Sequence, residues 1–473
     1  EIKMVKRITV ILSFLLFRLD AFSQNSLTDY IDLAKKNSYP AQIAVSEKKL
    51  ATLHFKSFAI TNKPSISFYG NVPVYNKDNY AVTQPDGSIK FLPRSQNYSN
   101  VGFGFSQPIA ATGGTVALNT DLYRFDDFTN KTKQYNGTPV FLRLTQPLFK
   151  YNAYKWEKQI APLQLQEADQ TQKADMMQLE YEVCNLYFTI IEAQSNEQLA
   201  AVNLQNCIIN LANEKRKVQL GVSTEDKVLQ LEIQQINNLQ QKITSQLEIQ
   251  KSLLALEIFI NGTDTTSRQL QLPEQLPIFE TNKEKIIAAA KNNLPQYIAY
   301  QRKIVEAKSK TDEAKKQGRK IELVASYGIN NASIDLPAIY SNQQDKQRFS
   351  LGFTIPIADW GRQKNNLAIA KLNEERIELT NKQEEARLLE EIASLINELP
   401  VLKNNIGQSL ALDTLSQKRF LITTRLYQSG KASLLELQAA QTEKDNAKRN
   451  YIAALRKFWE SYYLLKARTL IDF

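Results

Sequence analysis

Two stretches of the chain, Asn213–Val228 and Thr423–Leu437, follow the same pattern. In each, a helix-forming run reaches a lone glycine, Gly221 or Gly430, then a Ser or Thr, then a new amphipathic run. Glycine readily supplies the left-handed residue that ends a helix, and Ser223, Thr224 and Ser433 are residue types that cap the next one. Each stretch therefore reads as the tip of a helical hairpin. The two glycines lie 209 residues apart, and so do Pro147 and Pro356, which close the strand-like runs Leu144–Phe149 and Phe353–Ile357. This doubled spacing makes the chain an internal duplication of strands, long helix, tip and returning helix.

The long helical runs cover residues 152–219 and 360–428. At about 1.5 Å per residue each reaches roughly 100 Å, far beyond an ordinary globular helix. Pro162 and Pro400 are expected to kink or interrupt them. The returning runs carry narrow apolar seams, Ile236, Leu239, Ile243, Leu247 in the first and Ala447, Tyr451, Ala454, Phe458, Tyr462, Leu465 in the second. Steps of three and four residues are the spacing of coiled-coil-like packing. Shorter helical runs precede the strands of each half, with Pro40 and Pro295 at matching breaks.

Between these helices the period changes to two. Ile66, Phe68, Val72 and Val74 alternate with Ser65, Ser67, Tyr69 and Asn71; Phe349, Leu351, Phe353 and Ile355 alternate with Ser350, Gly352 and Thr354. Ile321, Leu323, Ala325, Tyr327 and Ile329 form the partner run. Such alternation suits a half-buried soluble sheet or a membrane barrel strand. Export, and the small residues opposite the large ones, favour the barrel. Two hairpins cannot close a barrel, and an open edge in lipid leaves backbone groups unpaired at several kcal/mol each, so several chains must share one. The first half holds 46 more residues before its Gln-Pro landmark than the second holds before the matching Ile355-Pro356. They contain Val101, Phe103, Phe105 and Val116, Leu118, Leu122 on either side of Gly113-Gly114, an extra hairpin near residues 96–130 whose place, in the barrel or outside it, is left open.

Lys3, Lys6 and Arg7 precede the apolar run Ile8–Phe17, and Ala21 and Ser23 are small residues suited to a cut before Gln24. Residues 1–23 read as a secretory signal peptide. The domain plan is then a first repeat over 24–260 with strands at about 64–148, a surface linker over 261–281, and a second repeat over 282–473 with strands at about 320–357. The net charge of +10 is dispersed along helical faces, which argues against nucleic-acid binding. Cys184 and Cys207 fall on one helical run about 35 Å apart, too far to bridge within one copy. The only histidine is His54, and no phosphate-binding glycine loop is present, so neither a multi-histidine metal site, a cofactor site nor an enzyme is expected.

This exported duplication of short helices, strands, very long helix, glycine tip and returning helix resembles the TolC family of outer-membrane efflux proteins. The resemblance implies a mainly α fold with a membrane β-barrel: a homotrimer whose strands share one barrel in outer-membrane lipid and whose helices form a periplasmic tunnel. It implies a passive channel-tunnel of an efflux or type I secretion system, with a periplasmic adaptor and an inner-membrane pump of RND or ABC type as partners. Gly221, Val222, Ser223, Gly430, Lys431 and Ala432 would be docking tips. Glu436 falls on the first of two acidic positions that ring the family's tunnel entrance, with Ala439 on the second. Tyr427 matches a gate tyrosine, whereas Ala432 and Lys227 replace the gate's arginine and aspartate. The competing reading is an exported structural coiled coil without a pore.

Overall fold

The computed structural model describes residues 26–262, 269–278, 282–318 and 320–473. The signal peptide lies outside them, as do residues 263–268 and 279–281 of the linker. In order, the chain forms α1 (Leu27–Asn37), α2 (Tyr39–Thr61), β1 (Ser65–Asn71), β2 (Tyr75–Thr83), β3 (Ile89–Ile109), β4 (Gly114–Asp127) and β5 (Thr132–Leu148). Then come α3 (Ala153–Gln219), α4 (Glu225–Ile260), α5 (Lys283–Asn293), α6 (Pro295–Lys316), β6 (Lys320–Ser333), β7 (Gln344–Thr354), α7 (Arg362–Gln428) and α8 (Leu434–Thr469). The duplication is visible in lengths alone: α3 and α7 have 67 residues each, α4 and α8 have 36.

Neither proline interrupts its helix; α3 continues through Pro162 and α7 through Pro400. A proline removes one backbone bond, and that loss is local. Around Pro400 the flanking turns stay held by packing, since Leu399 and Leu402 are both buried.

The chain divides into two compact units, and neither is a repeat. One comprises the segments up to Lys49, Ala168–Tyr297 and Glu384–Phe473; the other comprises Leu50–Glu167 and Ile298–Gln383. Each draws on both halves of the duplication. The core of the first packs Val183, Tyr187 and Phe188 of α3 with Leu256 of α4, Ile392 and Leu399 of α7, and Leu455, Phe458 and Leu465 of α8. The α8 seam predicted from spacing is buried throughout. The α4 seam is not: Ile236, Leu239, Ile243 and Leu247 are 46–58% exposed. Cys184 and Cys207 are free and buried. The buried carboxylate of Glu180 takes ion pairs from Lys35 at 2.6 Å and Lys466 at 3.1 Å, tying α1 and α8 to α3.

The second unit carries the sheet. Its strands run β1-β3-β4-β5-β6-β7, every neighbour antiparallel, with β2 pairing the first part of β3 beyond the end of β1. The extra hairpin, β3 and β4, therefore lies inside the sheet. Register places the apolar residues on one face: Phe68 beside Phe103, Ile66 beside Phe105, Phe105 beside Leu118, Leu118 beside Leu142, Leu142 beside Tyr327, and Leu323 beside Leu351. Apart from the half-buried Leu323 these side chains are exposed, up to 79% at Ile66, and Phe353 of β7 is 71% exposed as well. The opposite face mixes small and polar residues, Gly102, Gly104, Asn119, Asp121 and Ser350 among them, with the buried Phe141. There Tyr69 donates to Asp121 at 2.5 Å across Gly102, where a Cβ would come within 2.8 Å of the Tyr69 ring. Below the sheet, Arg302 of α6 binds Glu167 of α3 through two nitrogens and Glu306 of its own helix through a third.

Candidate functional site: the paired helix tips

The two tips are built alike. After α3, Gly221 has φ of 72° and Val222 N–H donates to the Lys217 carbonyl at 2.9 Å; after α7, Gly430 has φ of 74° and Lys431 N–H donates to the Leu426 carbonyl at 2.8 Å. This six-to-one bond across a left-handed residue is a Schellman ending. Nothing lies within 4 Å of where a Cβ would sit on either glycine, so conformation alone, and not crowding, selects glycine there.

The restarts differ. At the second tip Ser433 caps α8: its hydroxyl accepts from Glu436 N–H at 3.2 Å, and Glu436 accepts from Ser433 N–H at 2.6 Å. That capping box uses the Glu436 carboxylate locally while leaving it exposed. The Ser433 N–H and hydroxyl hold its pKa below the usual glutamate range, so it stays charged. At the first tip Thr224 occupies the capping position but its side chain makes no capping bond. Ser223 donates to Glu214 instead.

Glu214 is the residue that sequence reading missed. It is 2% exposed, and its carboxylate also accepts from Tyr427 at 3.0 Å and from Lys217 at 3.2 Å. Lys217 lies over the Tyr427 ring, 5.0 Å from its centroid. Below this cluster Cys207, Leu211 and Leu231 pack with Phe420, Tyr427, Leu434 and Leu437, so one small core joins both tips. Burial alone would raise the Glu214 pKa, but the bonds from Ser223, Lys217 and Tyr427 outweigh it and hold it low. Burial first, then the Glu214 charge, push the Tyr427 phenol well above its ordinary value. An ionised carboxylate and a neutral phenol at neutral pH make a charge-assisted bond, stronger than a neutral one.

Of the residues expected at this site, Tyr427 is thus in a bonded cluster, Glu436 is a helix cap on the exposed surface, and Ala432 packs partly buried beside the small core. Gly221, Val222, Gly430 and Lys431 are exposed. Lys227 is exposed as well and is not part of the Glu214 cluster. Glu214 supplies the acidic partner of Tyr427, from a helix that ends before the first tip. Its position was legible in principle: Cys207, Leu211 and Glu214 step by four and three, which sets a carboxylate on an apolar seam. Among the described residues no group of histidine, cysteine or acidic side chains could hold a metal ion.

Long paired helices and an antiparallel sheet with one apolar face are also the fold of solved outer membrane channels. The fold matches the Campylobacter jejuni CmeC outer membrane channel with a TM-score of 0.69 at 15% identity, covering 94% of this chain and 85% of that one. It matches the outer membrane protein VceC of Vibrio cholerae with a TM-score of 0.67 at 14% identity (94% and 95% covered), and CusC with 0.65 at 16% (95% and 92%). The profile of the outer membrane efflux protein family matches residues 267–466. No curated protein matches the sequence. The family match covers less than half of the 473-residue chain, and over nearly its whole length the chain shares the fold of these outer membrane channels.

Proposed function

We propose that three copies of the chain assemble into one conduit, which takes substrates from an inner-membrane pump of the RND or ABC class through a periplasmic adaptor and releases them outside the cell. The observation that carries the assembly is the apolar seam of α4, which stays exposed in the single chain while its counterpart on α8 is buried. A continuous exposed apolar surface marks an interaction face. The free edges of the sheet, β1 and β7, make the same demand in lipid.

Gly221, Val222, Ser223, Gly430, Lys431 and Ala432 form the surface that the adaptor meets, and the exposed Leu220 and Val222 offer it apolar contact. The Tyr427–Glu214 bond holds the second tip against the first and so keeps the entrance narrow. Three copies of Glu436 ring that entrance and attract cations, as charged rings do in other pores. The conduit itself is passive.

Electron microscopy of the detergent-extracted chain tests this reading. Three-fold particles with a hollow tube of about 100 Å, the length that 67 helical residues provide, are expected below a detergent belt. Solid rods or monomers without a belt overturn it in favour of an exported structural coiled coil. In the same preparation Glu436→Gln should lower cation preference without loss of assembly; unchanged selectivity removes Glu436 from the entrance.

A further inference from the structure

The β3–β4 hairpin has no counterpart in the second half of the chain, and three observations bear on what it does. Its position is central: β3 pairs β1 on one side and β4 on the other, and β4 pairs β5, so removing it would separate β1 from the rest of the sheet. Its faces are those of a membrane strand. Val101, Phe103 and Phe105 continue the apolar face through Leu118 and Leu122 of β4, and Phe103, Phe105 and Leu118 are exposed. Gly102, Gly104, Asn119 and Asp121 lie on the polar face, closed over by Tyr69 of β1. A surface cap in water would have no use for an uncovered aromatic row in register with Phe68 and Leu142. Its length also fits, since β4 has 14 residues and 9–11 suffice to cross a membrane.

We propose that this hairpin spans the membrane, so that each chain supplies six strands, β1, β3, β4, β5, β6 and β7, and three chains close one 18-stranded barrel. The trimer in this statement rests on the function proposed above; the six strands per chain do not. Strand direction alternates along the whole path, so β1 runs away from the helices and β7 runs back toward them. An even number of strands lets β1 of one copy meet β7 of the next antiparallel at all three junctions, which leaves no edge in lipid. Barrel diameter grows roughly linearly with strand number, so the pore is about 1.5 times as wide as that of a 12-stranded barrel without the hairpin. Barrels of about 16–18 strands leave an open aqueous channel. β2 and the first part of β3 extend past the end of β4, away from the helices, as an extracellular hairpin at the pore mouth.

The full-length protein in lipid nanodiscs, viewed by cryo-electron microscopy, gives the count directly and needs no variant. Eighteen lipid-crossing strands are expected; twelve, with the hairpin outside the belt, overturn the proposal. Nitroxide labels at Phe103→Cys and Leu118→Cys, in a background lacking Cys184 and Cys207, give an independent reading. Both should show the oxygen-rich, nickel-poor accessibility of a label at Phe353→Cys, whereas a label at Ser350→Cys should be open to the nickel chelate. Nickel accessibility at positions 103 and 118 with Phe353→Cys still in lipid overturns the hairpin's place. Native mass spectrometry separates the two readings: lipid-facing labels with a copy number other than three overturn 18 strands and the trimer while leaving six strands per chain.

Discussion

At Glu214 three donors from three places in the chain, Lys217 on the same helix, Ser223 past the first tip and Tyr427 at the second, converge on one buried carboxylate. The sign of its pH dependence follows from the two shifts. Because the folded Glu214 pKa is depressed, its contribution is present above the unfolded value of about 4.3 and is lost as pH falls through the lower folded value. Because the Tyr427 pKa is raised, its contribution is complete below about pH 10 and is lost as pH rises above that. The tips are therefore pinned across the neutral range and loosen at both extremes. Glu214→Gln keeps the shape but removes the charge; it should weaken tip closure by about 1–3 kcal/mol and abolish the acid limb. Hydrogen exchange of residues 214–228 and 423–437 at pH 7 measures this, and unchanged protection in the variant would sink the pinning role. Tyr427 was singled out through the family resemblance, as the match to a gate tyrosine, while its neighbours announced only a helix end. Spacing could place Glu214 on an apolar seam but not pair it with Tyr427, because that partner lies 213 residues away and only tertiary contact brings them together.

Among elements, those specified locally were the legible ones. Both tips were readable from one glycine and its flanking residues, and the strands from alternation, since a pleated strand sends successive side chains to opposite faces. Strand order is set by long-range pairing, and so the place of β3 and β4 could not be read from alternation. The same alternation makes a sharp prediction for β7. Leu351 lies on the apolar face and Ser350 beside it on the polar face. Leu351→Arg puts a guanidinium toward lipid, at about 2–4 kcal/mol near the midplane, in every copy; Ser350→Arg puts it in the pore. The first should fail to assemble in the outer membrane and the second should assemble, as read from oligomer in membrane extracts. Equal assembly of both would show that this face does not meet lipid.

For the whole molecule, the duplication is near-exact in its long helices and asymmetric in their use. α4 and α8 are equal in length and both carry an apolar seam, yet one seam is buried inside the chain and the other is left outside. Periodicity reveals a seam without naming the helix that covers it, so this difference was not readable beforehand. It separates two kinds of substitution. Phe458→Ala, in the core, should destabilise the folded chain by about 3–5 kcal/mol. The double variant Ile236→Glu/Ile243→Glu touches a surface already in water in the single chain, so the helices should form as before. In the assembly each buried isoleucine is worth about 1.5–3 kcal/mol, and the loss recurs at every junction between copies. The expected result is unchanged circular dichroism together with oligomers that dissociate at a lower temperature in detergent, followed by native mass spectrometry on heating. Dissociation at the wild-type temperature would mean that α4 does not face a second copy, and the barrel edges alone would then have to hold the assembly.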